Sequence, residues 1–333
     1  MADETRPAPG AASALFGYCA LLLGFFAIGI VTQQRDVIVG LWVTEALAIA
    51  LPAVIAVRAA GFSPKRYLGL RAPTPKQLVV AAVLALLNQP VVTFLTWVAR
   101  SLSPPAWVEE FDALQRVLDT VFAQNAAGMI VTVAVAAPLG EELFFRGYAL
   151  PALAKSWGPV AAVVVTGAMF SALHLNKIGF VGLWEIGIML ALLRLWSGSL
   201  WPSILCHAAN NALAGAAFLL GWEDPSIPPS PLLLAAGVVL AVLGAVLAVR
   251  VLRNFPRDHL ERAPAPRERA RFGGLRTGGL VAIWIASVGL GVAQAIRLLP
   301  PLPTSAWVSL GAAAIVVTAA AGARGPRGDA ETR

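Results

Sequence analysis

Apolar residues are gathered into ten long runs along the 333-residue chain, separated by short polar segments. Most runs approach or exceed the ~20 residues that an α-helix needs to cross ~30 Å of hydrocarbon. The short alternating strands of a membrane β-barrel do not appear in the pattern. The sequence therefore predicts an all-α, polytopic transmembrane helical bundle of about eight core spans plus two C-terminal spans. The predicted spans are Ala12–Thr32, Val37–Val57, Leu78–Ala99, Ala126–Leu150, Val160–Leu175, Phe180–Trp196, Leu200–Leu220, Leu232–Val251, Leu280–Leu299 and Ala306–Ala321.

The polar interruptions divide the chain into four predicted parts. Residues 1–60 hold two N-terminal spans, the first of which we interpret as a retained helix, and residues 61–222 hold most of the intramembrane polar residues. Residues 223–276 combine the eighth span with an Arg-rich linker, and residues 277–333 hold two C-terminal spans and a tail that we expect to be disordered. The segment Arg58–Gln77 is expected to be a loop. Apolar side chains recur at helical spacing in Pro105–Asn125, which predicts a helix in the plane of the membrane interface.

Composition agrees with a membrane protein, since 58% of residues are apolar, 13% are charged and the mean hydropathy is +0.75. The net charge of +7 follows the positive-inside rule. With the N-terminus in the cytoplasm and ten alternating spans, five of the 25 Lys and Arg residues fall outside: Arg35, Arg100, Arg116, Lys177 and Arg297. We therefore expect a multi-pass protein of the cell membrane, a bacterial inner membrane by its Ala- and Arg-rich composition. Both termini would be cytoplasmic, with anionic lipids as partners there and no nucleic acid.

Ionisable residues cluster inside the apolar spans. Glu141, Glu142 and Arg146 lie in the fourth predicted span, and His174 and His207 lie in later ones. A charge in hydrocarbon is costly unless it is paired or hydrated, so such clusters usually mark a functional site. Glu142 and Arg146 are spaced i, i+4 and can pair on one helix face, whereas Glu141 points about 100° away and is freer to act as a base. Further charges at membrane level are Glu45, Glu185 and Arg194.

Helix geometry allows these groups to meet. If the fourth and fifth spans turn near Ser156–Pro159, Glu142 and His174 lie ~23 and ~26 Å from that turn at ~1.5 Å per residue. His207 lies ~15 Å beyond its own turn by the same measure. A tilt or kink would close the remaining gap, and the candidate kinks in the fourth span are at Pro138, Gly140 and Pro151.

The residue types of the cluster predict hydrolysis. A carboxylate and a neutral imidazole can hold and deprotonate a water molecule. A second imidazole and an amide N–H, such as His207 and Asn211 on one helix face, can stabilise the oxyanion that forms when the water attacks a carbonyl. Two histidines and a glutamate could alternatively hold a zinc ion with an open position. The zinc-protease pattern H-E-x-x-H does not occur in the sequence, so spacing alone does not imply a metal.

Three short motifs, in order on successive spans, resemble the CPBP family of CAAX-processing and bacteriocin-processing intramembrane endopeptidases, also called the Abi family. They are Glu-Glu-Leu-Phe-Phe-Arg at 141–146, Phe-Ser-Ala-Leu-His at 170–174 and His-Ala-Ala-Asn-Asn at 207–211. The resemblance covers roughly residues 61–220, so the second predicted part would be a CPBP-like catalytic membrane core. The last two spans and the Arg-rich linker depart from the compact core of that family.

The resemblance implies proteolysis within the membrane. By this likeness Glu141 and His174 would activate the water, His207 and Asn211 would form the oxyanion site, and Glu142 and Arg146 would organise it. The family is commonly labelled metalloprotease, and a metal-free glutamate mechanism is also proposed for it, so the cofactor, zinc or none, stays open at this point. The expected substrate is a membrane-associated peptide or protein, such as a leader peptide, a bacteriocin-like peptide or the end of a membrane protein.

Two other functions fit parts of the pattern. Buried acids and histidines also suit a proton-coupled transporter, although transporters often show repeats in both halves, and no repeat is evident here. A non-catalytic membrane scaffold could keep the same fold and bind a partner. The presence of the whole set of predicted catalytic residues favours the protease over both.

Overall fold

The protein is described by a computed structural model over residues 8–221, 228–253, 273–297 and 299–319, and these parts contain helices and no strand. The predicted all-α bundle is thereby confirmed. The twelve helices of these parts are α1 (Ala11–Gln33), α2 (Val37–Ala59), α3 (Pro64–Tyr67), α4 (Pro75–Leu102), α5 (105–124), α6 (126–157), α7 (159–173), α8 (Phe180–Ser197), α9 (Trp201–Leu219), α10 (Pro231–Arg253), α11 (Gly273–Ala295) and α12 (Thr304–Ala319).

Two residues divide the continuous helical run Pro105–Leu173 into α5, α6 and α7. Asn125 has φ −156° and ψ 75°, and its side-chain oxygen accepts a hydrogen bond from the Gly128 N–H at 2.9 Å, which caps the start of α6. Gly158 has φ 82°, a left-handed conformation that glycine adopts without steric cost. Gly158 therefore folds α7 back along α6, within the segment Ser156–Pro159 where the sequence predicted the turn.

The helix that carries the two consecutive glutamates is wound as π-helix on both sides of them. These π-helical segments are Thr132–Ala136 and Leu143–Ala149. Pro138 and Pro151 each follow two residues after such a segment. Proline removes a backbone donor and crowds the preceding turn, and a π-helical turn is a common way to absorb that irregularity. Two of the predicted kinks thus coincide with local rewinding of α6, which changes the direction of the side chains that follow.

The polar cluster lies where several helices converge. The turn of α6 at Ala137–Glu142 packs between α2 and α9, α7 packs along α8, and α4 packs against α8, α9 and α10. The two C-terminal helices lie elsewhere, since α11 packs on α1 and α2 and α12 packs on α2. The helices that surround the cluster therefore come from both the N-terminal part and the middle of the chain.

Each of the ten predicted spans coincides with a described helix, and seven helical runs of the described residues are long and apolar enough to cross a membrane. Helix α9 is not among the seven because His207, Asn210 and Asn211 lower its hydropathy. The segment expected to be a loop at Arg58–Gln77 contains the short helix α3 and the first turn of α4. Most of the predicted Arg-rich linker and the predicted disordered tail lie outside the described residues.

Candidate active site

A fully buried ion pair forms the inner half of the cluster. The Arg146 Nη1 donates to Glu142 Oε1 at 2.8 Å, and neither side chain has any exposed surface. The Arg146 Nη2 donates to the Gly187 carbonyl of α8 at 3.0 Å. Gly187 lies so close to Gly167 of α7 that a Cβ atom would collide with its backbone, so the glycine pair lets this carbonyl approach. The positive charge of Arg146 is thus neutralised inside the bundle.

His207 joins the inner ion pair to the second glutamate. Its Nδ1 lies 3.1 Å from Glu142 Oε1, and its Nε2 lies 3.6 Å from Glu141 Oε2. One imidazole from α9 thus faces two consecutive carboxylates of α6. The sequence predicted that Glu142 would pair with Arg146, but the bond from His207 to Glu142 was not foreseen, because 65 residues separate the two.

The outer half of the cluster pairs Glu141 with His174. The His174 Nε2 lies 3.9 Å from Glu141 Oε1, and its Nδ1 lies 3.0 Å from the Phe170 carbonyl oxygen. Since a carbonyl only accepts hydrogen bonds, Nδ1 carries a proton, and in a neutral ring the Nε2 lone pair would face the carboxylate. A separation of 3.9 Å is too long for a direct hydrogen bond and suits one bridging water.

The Phe170 ring lies at the centre of these groups. Its centroid is 5.0 Å from that of His174 and 5.5 Å from that of His207. The Arg146 guanidinium carbon lies 4.5 Å from the same ring on its face. Phe170 therefore spaces the two imidazoles and covers the buried cation with an aromatic face.

Asn211 is held beside the cluster from the same helix as His207. Its Nδ2 donates to the Val133 carbonyl at 2.8 Å, in the π-helical segment that precedes the glutamates. One of the two amide N–H groups is thereby occupied, and the other has no hydrogen-bond partner among the described residues. The neighbouring Asn210 points elsewhere, and its Oδ1 accepts from Gln89 Nε2 of α4 at 2.7 Å.

Glu45 is a third carboxylate at this place that sequence reasoning did not connect with the site. It is buried in a π-helical segment of α2 and packs on Gly140, where a Cβ atom would collide with its carboxylate. Within the described residues its Oε2 has no hydrogen-bond partner, and its charge acts on that of Glu141. The sequence signal was a lone acid in an apolar span, which no spacing rule links to α6.

Glu185 instead lies beside Asn88 of α4.

Exposure increases steadily across the cluster. The side chains of Glu142 and Arg146 have no exposed surface. That of Glu141 is 7% exposed, and that of His174 is 32% exposed. His174 ends α7 and leads into the connection to α8, where Lys177 pairs with Glu110 of α5. The site is therefore closed at Arg146 and open at His174, next to α5.

The described side chains do not form a metal site as they are placed. No group of three or more His, Cys, Asp or Glu side chains in these parts of the chain is arranged to hold a metal ion. His207 Nδ1 is bonded to Glu142, and the ring nitrogens that face Glu141 lie 3.6 and 3.9 Å from its oxygens. The arrangement is one of carboxylate–imidazole pairs, of which His207–Glu142 is in direct contact and the two pairs at Glu141 are farther apart.

Comparison with protein families matches residues 123–213 to the Rce1-like family, described as type II CAAX prenyl endopeptidase Rce1-like. This segment contains all three motifs and all six predicted site residues. Comparisons with curated proteins and with solved structures gave no match. The family match confirms the resemblance that the motifs indicated. Residues 123–213 are therefore similar to the CAAX-type endopeptidases of the Rce1-like family, which is the kind of protein that the three motifs indicated.

Proposed function

We propose that this protein hydrolyses peptide bonds of a membrane-associated peptide or protein, with Glu141 as the general base and no step that passes through a metal. The observation that carries the proposal is the open Glu141–His174 pair, whose facing oxygen and nitrogen lie 3.9 Å apart. A water molecule between them would donate one proton to each acceptor, which aligns its remaining lone pair with a substrate carbonyl.

The proposed reaction needs no outside acid or base. The water oxygen bonds to the carbonyl carbon as its proton passes to Glu141, which gives a tetrahedral oxyanion. Glu141 then returns that proton to the amide nitrogen as the C–N bond breaks, which releases a carboxyl and an amine product.

His207 and Asn211 are the proposed donors to the oxyanion. As an imidazolium, His207 would donate Nδ1–H to Glu142 and Nε2–H to the oxyanion. The free N–H of Asn211 would supply the second hydrogen bond. Both donors are held before substrate arrives, His207 by Glu142 and Asn211 by the Val133 carbonyl. Such preorganised donors usually provide the largest single contribution to acyl-transfer catalysis.

Glu142 and Arg146 have a positioning role in this proposal. Arg146 also donates to the Gly187 carbonyl, so the ion pair holds α6 against α8. The carboxylate of Glu142 orients His207. Substrate would reach the water at the open side near His174 and α5. We place the protein in the cell membrane with both termini in the cytoplasm, on the charge distribution described above.

The test uses mass spectrometry to compare membrane peptides from two sets of cells. One set carries the wild-type protein and the other carries the Glu141→Gln variant. We expect cleavage products in the wild type that disappear in the variant, since glutamine keeps the shape of the side chain and cannot accept the proton. Purified wild type in liposomes should then cleave the identified precursor. Products that persist at wild-type levels with Glu141→Gln would contradict the assignment.

A further inference from the structure

The connection between α8 and α9, at the opposite end of the bundle from His174, brings two arginine side chains together. This connection turns at Gly198 with φ 62°, and the loop before α4 turns at Gly69 with φ 76°. A Cβ atom on Gly69 would collide with the Arg194 guanidinium, and one on Gly198 would collide with that of Arg71. The Arg194 guanidinium therefore lies against the turn at Gly69, and the Arg71 guanidinium lies against the turn at Gly198.

Hydrogen bonds fix the two segments to each other. The Arg71 side chain donates to the Ser197 carbonyl, and the Ser199 hydroxyl donates to the Arg71 carbonyl at 2.7 Å. The Leu200 N–H donates to the Gly69 carbonyl at 2.9 Å. The fold thus holds both guanidiniums in place before a ligand binds. Binding therefore costs little further ordering of these side chains.

The charges at this place are not balanced by the protein. Arg71 and Arg194 are close enough for their charges to repel each other, and within the described residues neither forms an ion pair with a carboxylate. The Arg194 Nε is buried and has no hydrogen-bond partner among these residues. An anion would reduce the repulsion, and a planar guanidinium fits phosphate oxygens in pairs.

The aromatic residues around this place indicate its level in the membrane. Trp196 and Trp201 flank the connection and are 43% and 40% exposed. Trp157 is also exposed, beside the Gly158 turn at the same end of the bundle. Tryptophan is enriched where hydrocarbon meets the headgroups. The two guanidiniums therefore lie where phospholipid phosphates are, which favours a headgroup over phosphate from solution.

We propose that Arg71 and Arg194 form a binding site for the phosphate of an anionic phospholipid headgroup. The site is separate from the proteolytic cluster and does not rest on its chemistry. The bound lipid would clamp the loop before α4 to the end of α8, and α4 in turn packs against α9, which carries His207 and Asn211.

The experiment uses the full chain in detergent and native mass spectrometry with added phosphatidylglycerol or phosphatidylcholine. We expect wild type to retain phosphatidylglycerol in preference to phosphatidylcholine. Arg71→Gln and Arg194→Gln should each weaken phosphatidylglycerol binding about tenfold or more, because each removes charge-assisted hydrogen bonds to phosphate. The matched control is Lys155→Gln, which removes an exposed cation at the same end of the bundle and should weaken binding less than about fivefold.

Three results would overturn the proposal. Unchanged binding in Arg71→Gln would do so, and this variant decides even if Arg194→Gln fails to fold, because the Arg71 side chain is exposed. Equal losses in Arg71→Gln and Lys155→Gln would show diffuse surface charge instead of a site. Displacement of phosphatidylglycerol by millimolar inorganic phosphate would assign the site to free phosphate. Glu141→Gln should bind lipid as wild type does, which keeps this test independent of the proteolytic proposal.

Discussion

The inner and outer halves of the polar cluster each place a glutamate beside a basic side chain, and they have opposite character. In the inner half, Glu142 and Arg146 form a direct 2.8 Å ion pair with no exposed surface. In the outer half, Glu141 faces His174 across 3.9 Å, and the histidine is partly exposed. The two glutamates are consecutive in the chain, so a rotation of about 100° around the helix separates a sealed, structural carboxylate from one that water can reach.

Partner and solvent access, and not residue type, decide what a buried carboxylate does. A buried ion pair is worth little net stability, but the loss of one partner is severe because the other charge is left without compensation. A carboxylate that faces a neutral imidazole across a water-sized gap is suited to proton transfer. Substitutions in the inner half should therefore act on stability and those in the outer half on rate.

The largest expected effect is on rate, in the outer half. Glu141→Gln should lower kcat for the precursor by about 10²–10⁴-fold, the usual contribution of a general base. The melting temperature in detergent should hardly change, because Glu141 has no hydrogen bond to lose on Oε2. The matched control, Glu142→Gln on the same helix turn, should lower the melting temperature as well. Equal losses of stability in both variants would remove the distinction between the halves.

The next effect is on stability, in the inner half. Arg146→Met leaves the Glu142 charge buried and should destabilise the protein by about 3–5 kcal/mol. The double variant Glu142→Gln/Arg146→Met should recover most of this loss, because no charge is then left alone. The kcat of the double variant should still be low, since His207 has lost the carboxylate that holds its Nδ1. Chemical denaturation in detergent gives the stabilities, and a double variant as unstable as the single one would contradict the ion-pair account.

The third expected effect is on rate, for Asn211→Ala in α9, the helix that also carries His207. Removal of an oxyanion donor should lower kcat by about 10²–10³-fold with little change in KM, since the bond strengthens in the transition state. Asn210→Ala is the control, because that amide bonds Gln89 instead of facing the site. A purely structural Asn211, which only holds the Val133 carbonyl, would instead show lower stability and an unchanged rate per folded molecule.

A smaller effect is expected for an ion pair of the same chemistry near the surface. Arg100 pairs with Asp112 of α5 through two hydrogen bonds, but the side chains are 23% and 29% exposed. Arg100→Gln should therefore cost about 0.2–1 kcal/mol, well below the cost of Arg146→Met. The same denaturation experiment measures both. A loss as large as that of the buried variant would show that burial is not what separates the two pairs.

No effect is expected from chelation. Purified protein treated with 1,10-phenanthroline and then passed through a desalting column should cleave at the untreated rate, because the described acids and imidazoles are not arranged around a common metal position. The same treatment of a zinc protease serves as the positive control. Loss of activity that added zinc restores would replace the Glu141–water assignment with a metal-bound one.

Features that depend on neighbours in the chain could be predicted from the sequence. The helical bundle follows because a single segment in hydrocarbon can form all of its backbone hydrogen bonds internally only as a helix. The Glu142–Arg146 pair follows from i, i+4 spacing, and the turn at Gly158 follows from a Gly-Pro pair between two apolar runs. The approach of the glutamate pair to His174, which the structure makes through Glu141, follows from similar depth on antiparallel helices.

Features that depend on helix rotation and approach were decided by the tertiary structure. The contacts of Glu45 with Gly140, of Arg146 with the Gly187 carbonyl and of Asn211 with the Val133 carbonyl each join different helices. Their sequence separations are large, and π-helical turns in α2 and α6 shift the faces that regular periodicity would assign. The candidate residues and their approximate depth in the membrane follow from the sequence alone. Packing decided which of the two glutamates is sealed, since that depends on which face of α6 the neighbouring helices cover.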